Sequence, residues 1–112
     1  MTLQKYIKPI LFVLFLLVPI IVSATNLRGR IEGFNQYYKS TYPLAGVTVD
    51  LYFQGSGGWQ QIGRYITGPD GMYYFQNLYQ GYYSLQINGR QNYPITVLNV
   101  PYQDLPPIMI TY

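Results

Sequence analysis

The side chains that could carry chemistry in this 112-residue sequence are four carboxylates and a large set of aromatic rings. The sequence has no histidine and no cysteine, which excludes histidine-dependent triads, thiol catalysis and thiolate metal sites. A glycosidase needs two carboxyl groups about 5–9.5 Å apart. Glu32 and Asp50 could approach each other if their strands pair, but Arg28 and Arg30 are the favoured partners of Asp50. The four carboxylates lie in separate segments, at Glu32, Asp50, Asp70 and Asp104.

The sequence therefore predicts a protein that is not an enzyme, with no catalytic residue, no metal site and no cofactor. The aromatic residues, which comprise 14 Tyr, 5 Phe and 1 Trp, favour binding instead. Exposed Tyr and Trp side chains offer amphipathic contact area that suits sugars or protein surfaces. The alternative is that Tyr is simply a good strand former on half-buried faces. The candidate binding residues are Tyr52, Tyr74, Tyr82, Trp59 and Tyr65.

The elements that must position these residues are β-strands, because in residues 25–112 apolar residues recur with a period of two and no helical period occurs. In 47–53 the pattern places Val47, Val49, Leu51 and Phe53 on one face and Tyr52 on the other. Turn signals stand between the runs, notably Gly-Pro-Asp-Gly at 68–71 and Asn88-Gly89. Residues 34–43 are expected to form the longest loop, and 101–107 a proline-punctuated link. The predicted strands are 27–33, 47–53, 59–66, 72–76, 82–87, 93–100 and 107–112.

Residues 1–24 are predicted to be a secretory signal peptide and residues 25–112 the mature domain. Lys5 and Lys8 precede an apolar run at 9–22, and Val22-Ser23-Ala24 resembles a cleavage site. The alternative is an uncleaved anchor helix, but the apolar run is short for a bilayer, which takes about 20 residues. The mature part has five basic and four acidic residues, so its net charge is +1. That balance argues against a nucleic-acid partner.

The spacing Asp-Gly-x-Tyr-x-Phe-x-x-Leu-x-x-Gly-x-Tyr, which runs from Asp70 to Tyr83, resembles the carboxypeptidase regulatory-like domain. That family is a small Greek-key sandwich related in fold to transthyretin. The resemblance implies a seven-stranded all-β sandwich over most of residues 25–112, and it makes Tyr83 similar to a tyrosine corner. The family is often grouped as carbohydrate-binding-like, which implies a glycan ligand. The histidines and the Tyr-Arg-Gly-Ser terminus of transthyretin-like hydroxyisourate hydrolases are missing from this sequence.

The expected function is that of a secreted or periplasmic, non-catalytic binding or accessory module. Its expected partner is a glycan or a protein of the cell envelope or surface, with no stable membrane span after signal cleavage. The alternative function is a structural or assembly subunit of such a complex, joined through edge strands. The sequence leaves the oligomeric state open.

Overall fold

A computed structural model describes residues 24–111 of the chain, and these form nine strands and no helix. The predicted signal peptide lies outside the described residues, except for Ala24. The strands are β1 (Thr25–Asn35), β2 (Ser40–Pro43), β3 (Thr48–Gly55), β4 (Gly58–Ile66), β5 (Met72–Leu78), β6 (Gly81–Ile87), β7 (Gln91–Val97), β8 (Tyr102–Asp104) and β9 (Ile108–Thr111).

The strands form two sheets that pack into a sandwich. The first sheet is built around β1, whose first half pairs with β5 and β8 and whose second half pairs with β2 and β9. The pairs with β8 and β9 are parallel, and the others are antiparallel. The second sheet is antiparallel throughout, with the order β4-β3-β6-β7. The predicted all-β sandwich is thus confirmed, with nine strands in place of seven among the described residues.

The core lies between the sheets, where alternate residues of each strand meet. The structure buries the inward residues that alternation predicts on β3, β5 and β6, and Phe53 is half-buried at their margin. Leu78 and Val97 close the ends of the same cluster. The buried apolar residues are Leu27, Ile31, Val47, Val49, Leu51, Tyr73, Phe75, Leu78, Tyr83, Leu85, Ile87 and Val97.

The two predicted turns form as their residue types require. In the first, the amide of Gly71 donates to the carbonyl of Gly68 at 2.9 Å, and the Asp70 side chain accepts from the amide of Met72 at 3.0 Å. In the second, Asn88 and Gly89 adopt positive φ values of 50° and 68°, and the amide of Arg90 donates to the carbonyl of Ile87 at 3.0 Å. The turn joins β6 to β7, with Ile87 opposite Gln91.

Two strands lie in segments that were predicted to be irregular, and both predictions are wrong. The expected loop 34–43 is a hairpin, because β1 continues to Asn35, turns through 36–39 and returns as β2. All four β2 residues are exposed, so no alternation marks the strand. The expected link 101–107 contains β8, which has only three residues and also lacks an apolar pattern.

The tyrosine corner is present. The hydroxyl of Tyr83 donates to the carbonyl of Tyr79, four residues upstream, at 2.7 Å. The ring of Tyr83 also packs against Phe53, with centroids 5.2 Å apart. Tyr83 therefore ties the β5–β6 connection to the core.

Candidate functional site

The five predicted binding residues fall into two groups on opposite sides of the sandwich. Tyr52, Trp59 and Tyr82 share the outer face of the second sheet. The strand register establishes this, because Tyr52 lies opposite Ser84 and Trp59 lies opposite Gln54. These positions alternate with the residues of the same strands that point into the core. Tyr82 is 65% exposed there. Tyr74 lies on β5, on the outer face of the first sheet. Tyr65 lies on β4, the edge strand of the second sheet.

An open depression of about 440 Å³ lies on the outer face of the second sheet, and we call it the Trp59 depression. Trp59 comes from β4 and is 52% exposed. Tyr52 is half-buried, and its hydroxyl lies 3.2 Å from the side-chain oxygen of Gln86, to which it donates. This bond orients both side chains before any ligand arrives. The lining residues are Tyr52, Trp59, Ser84, Gln86, Asn92 and Pro94.

The lining of the Trp59 depression is uncharged, since none of its residues carries a charge. The nearby carboxylate of Asp50 is buried and accepts bonds from Arg64 at 2.7 Å and Gln61 at 3.1 Å. The bond to Asp50 raises the pKa of Arg64. The charges beside the depression are therefore paired, and the site suits an uncharged, polar ligand.

The expected pairing of Asp50 with Arg28 or Arg30 is wrong, and so is an approach of Asp50 to Glu32. Those three residues lie on β1 in the first sheet, whereas Asp50 points away from it on the outer face of the second. The Oε1 atom of Glu32 lies instead 3.5 Å from the Nε atom of Arg30 on the same strand. Among residues 24–111, no three Asp, Glu, His or Cys side chains converge as a metal site would require.

Tyr74 lies on the outer face of the first sheet, in a second open depression of about 440 Å³, which we call the Tyr74 depression. Tyr65 is half-buried at the edge of β4, and its ring meets that of Tyr74 edge to face, with centroids 5.7 Å apart. Tyr65 thus packs against Tyr74 and lies outside the lining of both depressions. The lining residues are Asn26, Leu27, Arg28, Tyr74, Phe75, Gln76, Tyr102 and Asp104.

An ion pair stands in the Tyr74 depression. Arg28 donates to both carboxylate oxygens of Asp104 through its Nε and Nη2 atoms. The hydrogen bonding that Arg28 donates to Asp104 lowers the pKa of Asp104 and raises the pKa of Arg28. The depression thus offers donors and acceptors with no net charge.

Several lining residues were missed by sequence reasoning. Ser84 and Gln86 could have been found, because they alternate with the inward residues of β6 and lie two and four positions after Tyr82. Asn92 and Tyr102 had no such signal, because the one lies in a mostly exposed strand and the other in a strand of three residues.

No protein-family model matches the sequence, and no curated protein does. Several solved structures share the fold. Klebsiella pneumoniae 5-hydroxyisourate hydrolase matches with a TM-score of 0.51 and 19% identity, over 84% of this chain and 93% of that one. The group B streptococcus pilus 2b backbone protein matches with a TM-score of 0.52 and 13% identity, over 80% of this chain and 41% of that one. The pilus adhesin from Streptococcus pneumoniae matches with a TM-score of 0.51 and 22% identity, over 69% of this chain and 11% of that one.

The chain therefore spans less than half the length of the two pilus proteins. These likenesses show a transthyretin-like β-sandwich fold, which is carried by an enzyme as well as by a pilus backbone protein and an adhesin. Function resides in sites placed on such a fold and not in the fold itself. Within residues 24–111, no helix is long and apolar enough to cross a membrane.

Proposed function

We propose that the protein is a secreted, non-catalytic module that binds a neutral polysaccharide at the Trp59 depression. The observation that carries the proposal is an exposed indole ring beside oriented amide and hydroxyl groups, with no charge in the lining. A sugar ring has apolar C–H faces that pack on an aromatic ring, and hydroxyls that need both donors and acceptors. Export rests on the signal peptide predicted at residues 1–24.

Each lining group has a distinct part in this binding. The indole of Trp59 is the platform on which a sugar ring stacks. The amide N–H₂ groups of Gln86 and Asn92 donate to sugar hydroxyls, and the Ser84 hydroxyl can donate or accept. The bond between Tyr52 and Gln86 reduces the side-chain entropy lost on binding. Tyr82, on the same face, extends the surface toward the next sugar unit.

The alternative function, an assembly subunit of an envelope or surface complex, is favoured by a different observation. Strand β4 ends the order of the second sheet, so one of its edges is unpaired among the described residues. Its side chains Ile62 and Ile66 are 46% and 60% exposed. An edge of this kind can add a strand from a partner. A stable oligomer in gel filtration with light scattering would support this function.

Binding is tested with the mature protein, residues 25–112, by calorimetric titration with soluble neutral β-glucan, xylan and mannan. We expect one of them to bind, and Trp59→Ala to weaken binding at least tenfold with an unchanged melting temperature. The matched control is Tyr37→Ala, which removes an aromatic ring that is 86% exposed in the β1–β2 turn. Binding of the neutral polymer should be insensitive to salt, since no charge is neutralised. Equal affinities of wild type and Trp59→Ala would refute the proposed site.

A further inference from the structure

We propose that the Tyr74 depression is a second, independent site for neutral sugar, so that one molecule bridges two polysaccharide chains. This inference rests on the proposed function, since it uses the same class of ligand. Nothing in the Trp59 depression is shared with it, because the two are lined by different sheets.

The lining of the Tyr74 depression forms two rows across three strands. In one row Tyr74, Arg28 and Asp104 lie side by side on β5, β1 and β8. In the next row Asn26 on β1 lies beside Tyr102 on β8. Because neighbouring strands are about 4.8 Å apart, the two tyrosines stand roughly 10 Å apart across the sheet. The polar residues form the floor between them.

The two tyrosines are suited to stacking. Tyr102 is 76% exposed and Tyr74 is 40% exposed. Tyr74 is held by the edge contact with Tyr65, so its free face is presented in a fixed orientation. A ring held in this way loses little conformational entropy when a ligand packs on it.

The floor matches sugar hydroxyls. The carboxylate of Asp104 is an acceptor and the guanidinium of Arg28 is a donor. Their mutual bonds leave spare lone pairs on Asp104 and spare N–H groups on Arg28. The side-chain oxygen of Asn26 accepts from the amide of Asn77 at 3.2 Å, which fixes the orientation of the carboxamide. Since the ion pair cancels the charge, the depression favours an uncharged polyol over an anion or a cation.

The direction of the two depressions determines what a doubly occupied molecule does. The outer faces of a sandwich point away from each other, and the sheets between them are about 10 Å apart. One straight polymer chain cannot contact both faces, so the second site engages a second chain. Bivalence of this kind adds avidity on a dense polysaccharide without any new contact.

The experiment uses the polysaccharide that binds best in the titration above, with oligosaccharides prepared from it. Wild type should bind two oligosaccharides per monomer and should make the polymer solution turbid over a limited range of protein-to-polymer ratios. Tyr74→Ser with Tyr102→Ser should bind one oligosaccharide and produce no turbidity. If the double variant does not fold, Tyr102→Ser alone serves, because that side chain is largely exposed. Tyr37→Ser with Tyr79→Ser, which removes two exposed tyrosines outside both linings, is the matched control and should behave as wild type.

The outcomes separate the two proposals. One oligosaccharide per monomer that is lost in Trp59→Ala and unaffected by the Tyr74 and Tyr102 changes overturns the second site and keeps the first. Binding that survives Trp59→Ala but is lost in the Tyr74 and Tyr102 variant supports the second site and overturns the first. The Tyr74 and Tyr102 variant could also still produce turbidity and be a dimer in light scattering. In that case the protein bridges polymer chains by associating with itself, and the inference is overturned. No binding by any neutral polysaccharide overturns both.

Discussion

The ring of Tyr73 on β5 lies across Gly29, its direct partner on β1, so closely that a methyl group on Gly29 would overlap the phenol oxygen and the ring carbons. Both residues are buried. An aromatic side chain that covers a cross-strand glycine shields backbone that would otherwise lack side-chain contacts. The pair therefore acts as one packed unit at the centre of the first sheet.

The first prediction is that Gly29→Ala lowers the free energy of unfolding by about 2 kcal/mol or more, because it overpacks the core against the Tyr73 ring. Gly57→Ala is the control, since no atom of the described residues lies within 4 Å of a Cβ added there, and it should change stability by less than about 0.5 kcal/mol. Urea denaturation measures both. In a Tyr73→Leu background the cost of Gly29→Ala should fall, and an unchanged cost would show that the two sites are not coupled.

The second prediction compares two buried tyrosines whose hydroxyl groups differ in their hydrogen bonding. Among residues 24–111 the Tyr73 hydroxyl has no hydrogen-bond partner, whereas the Tyr83 hydroxyl donates to the Tyr79 carbonyl. Tyr83→Phe should destabilise by about 1 kcal/mol because it removes a satisfied bond, and Tyr73→Phe should be neutral or stabilising because it removes an unsatisfied group. Equal shifts in the denaturant midpoints of the two variants would contradict this prediction.

The third prediction concerns alkaline pH. Burial raises the pKa of Tyr73 and of Tyr83, while an unfolded tyrosine ionises near pH 10. Above that pH the folded state retains protons that the unfolded state has lost. The contribution to stability is therefore complete below about pH 10 and is lost as the pH rises further, by up to about 1.4 kcal/mol per pH unit for a phenol that stays protonated.

Denaturant midpoints measured from pH 8 to pH 11.5 test this dependence. Tyr73→Phe should flatten the decline above pH 10, because it removes one of the phenols that retain their protons. Tyr82→Phe, which changes an exposed ring on the outer face of the second sheet, should leave the decline as in wild type. An identical decline in all three proteins would show that Tyr73 does not contribute to it.

Alternation in the sequence predicts the core well, since the sheets have one buried face and a slip of one residue would expose it. Val49, Leu51 and Leu85 are buried as expected. The edges of the first sheet were not predictable in the same way. Strands β2 and β8 are short and have little or no buried face, so their positions depend on hydrogen bonds to β1 and not on a pattern of apolar residues.

The candidate site was predictable only in part, for a similar reason. Alternation correctly indicates that Tyr74 and Tyr82 point outward, but it does not show that they belong to different sheets. Sheet membership depends on pairing between distant segments, here β1 with β5 and β3 with β6. The pairing also explains why Asp50 is buried at an outward position, since Arg64 and Gln61 from β4 cover it.

The fourth prediction separates two costs at glycines with positive φ. Gly71 has φ of 74°, and a side chain added there would lie 2.5 Å from the carbonyl oxygen of Ile31 and 3.0 Å from the amide of Leu44. Gly89 has φ of 68°, and in the described part of the chain nothing lies within 4 Å of an added Cβ. Gly89→Ala should therefore cost only the left-handed conformation, about 1–2 kcal/mol. Gly71→Ala should cost that amount plus a clash with backbone, and backbone cannot move aside as a flexible side chain can.

The clash at Gly71 also acts on hydrogen bonds that join three segments. The amide of Ile31 donates to the Gly71 carbonyl at 2.8 Å, and the amide of Leu44 donates to the Ile31 carbonyl at 3.0 Å. Displacing Gly71 weakens both bonds, so we expect Gly71→Ala to lower stability by at least about 2 kcal/mol more than Gly89→Ala. Thermal and urea unfolding of the two variants measure the difference, and hydrogen exchange should show faster exchange at the Ile31 and Leu44 amides in Gly71→Ala alone. Equal stabilities would mean that the turn relaxes without strain on β1, and that Gly71 is required only for its φ.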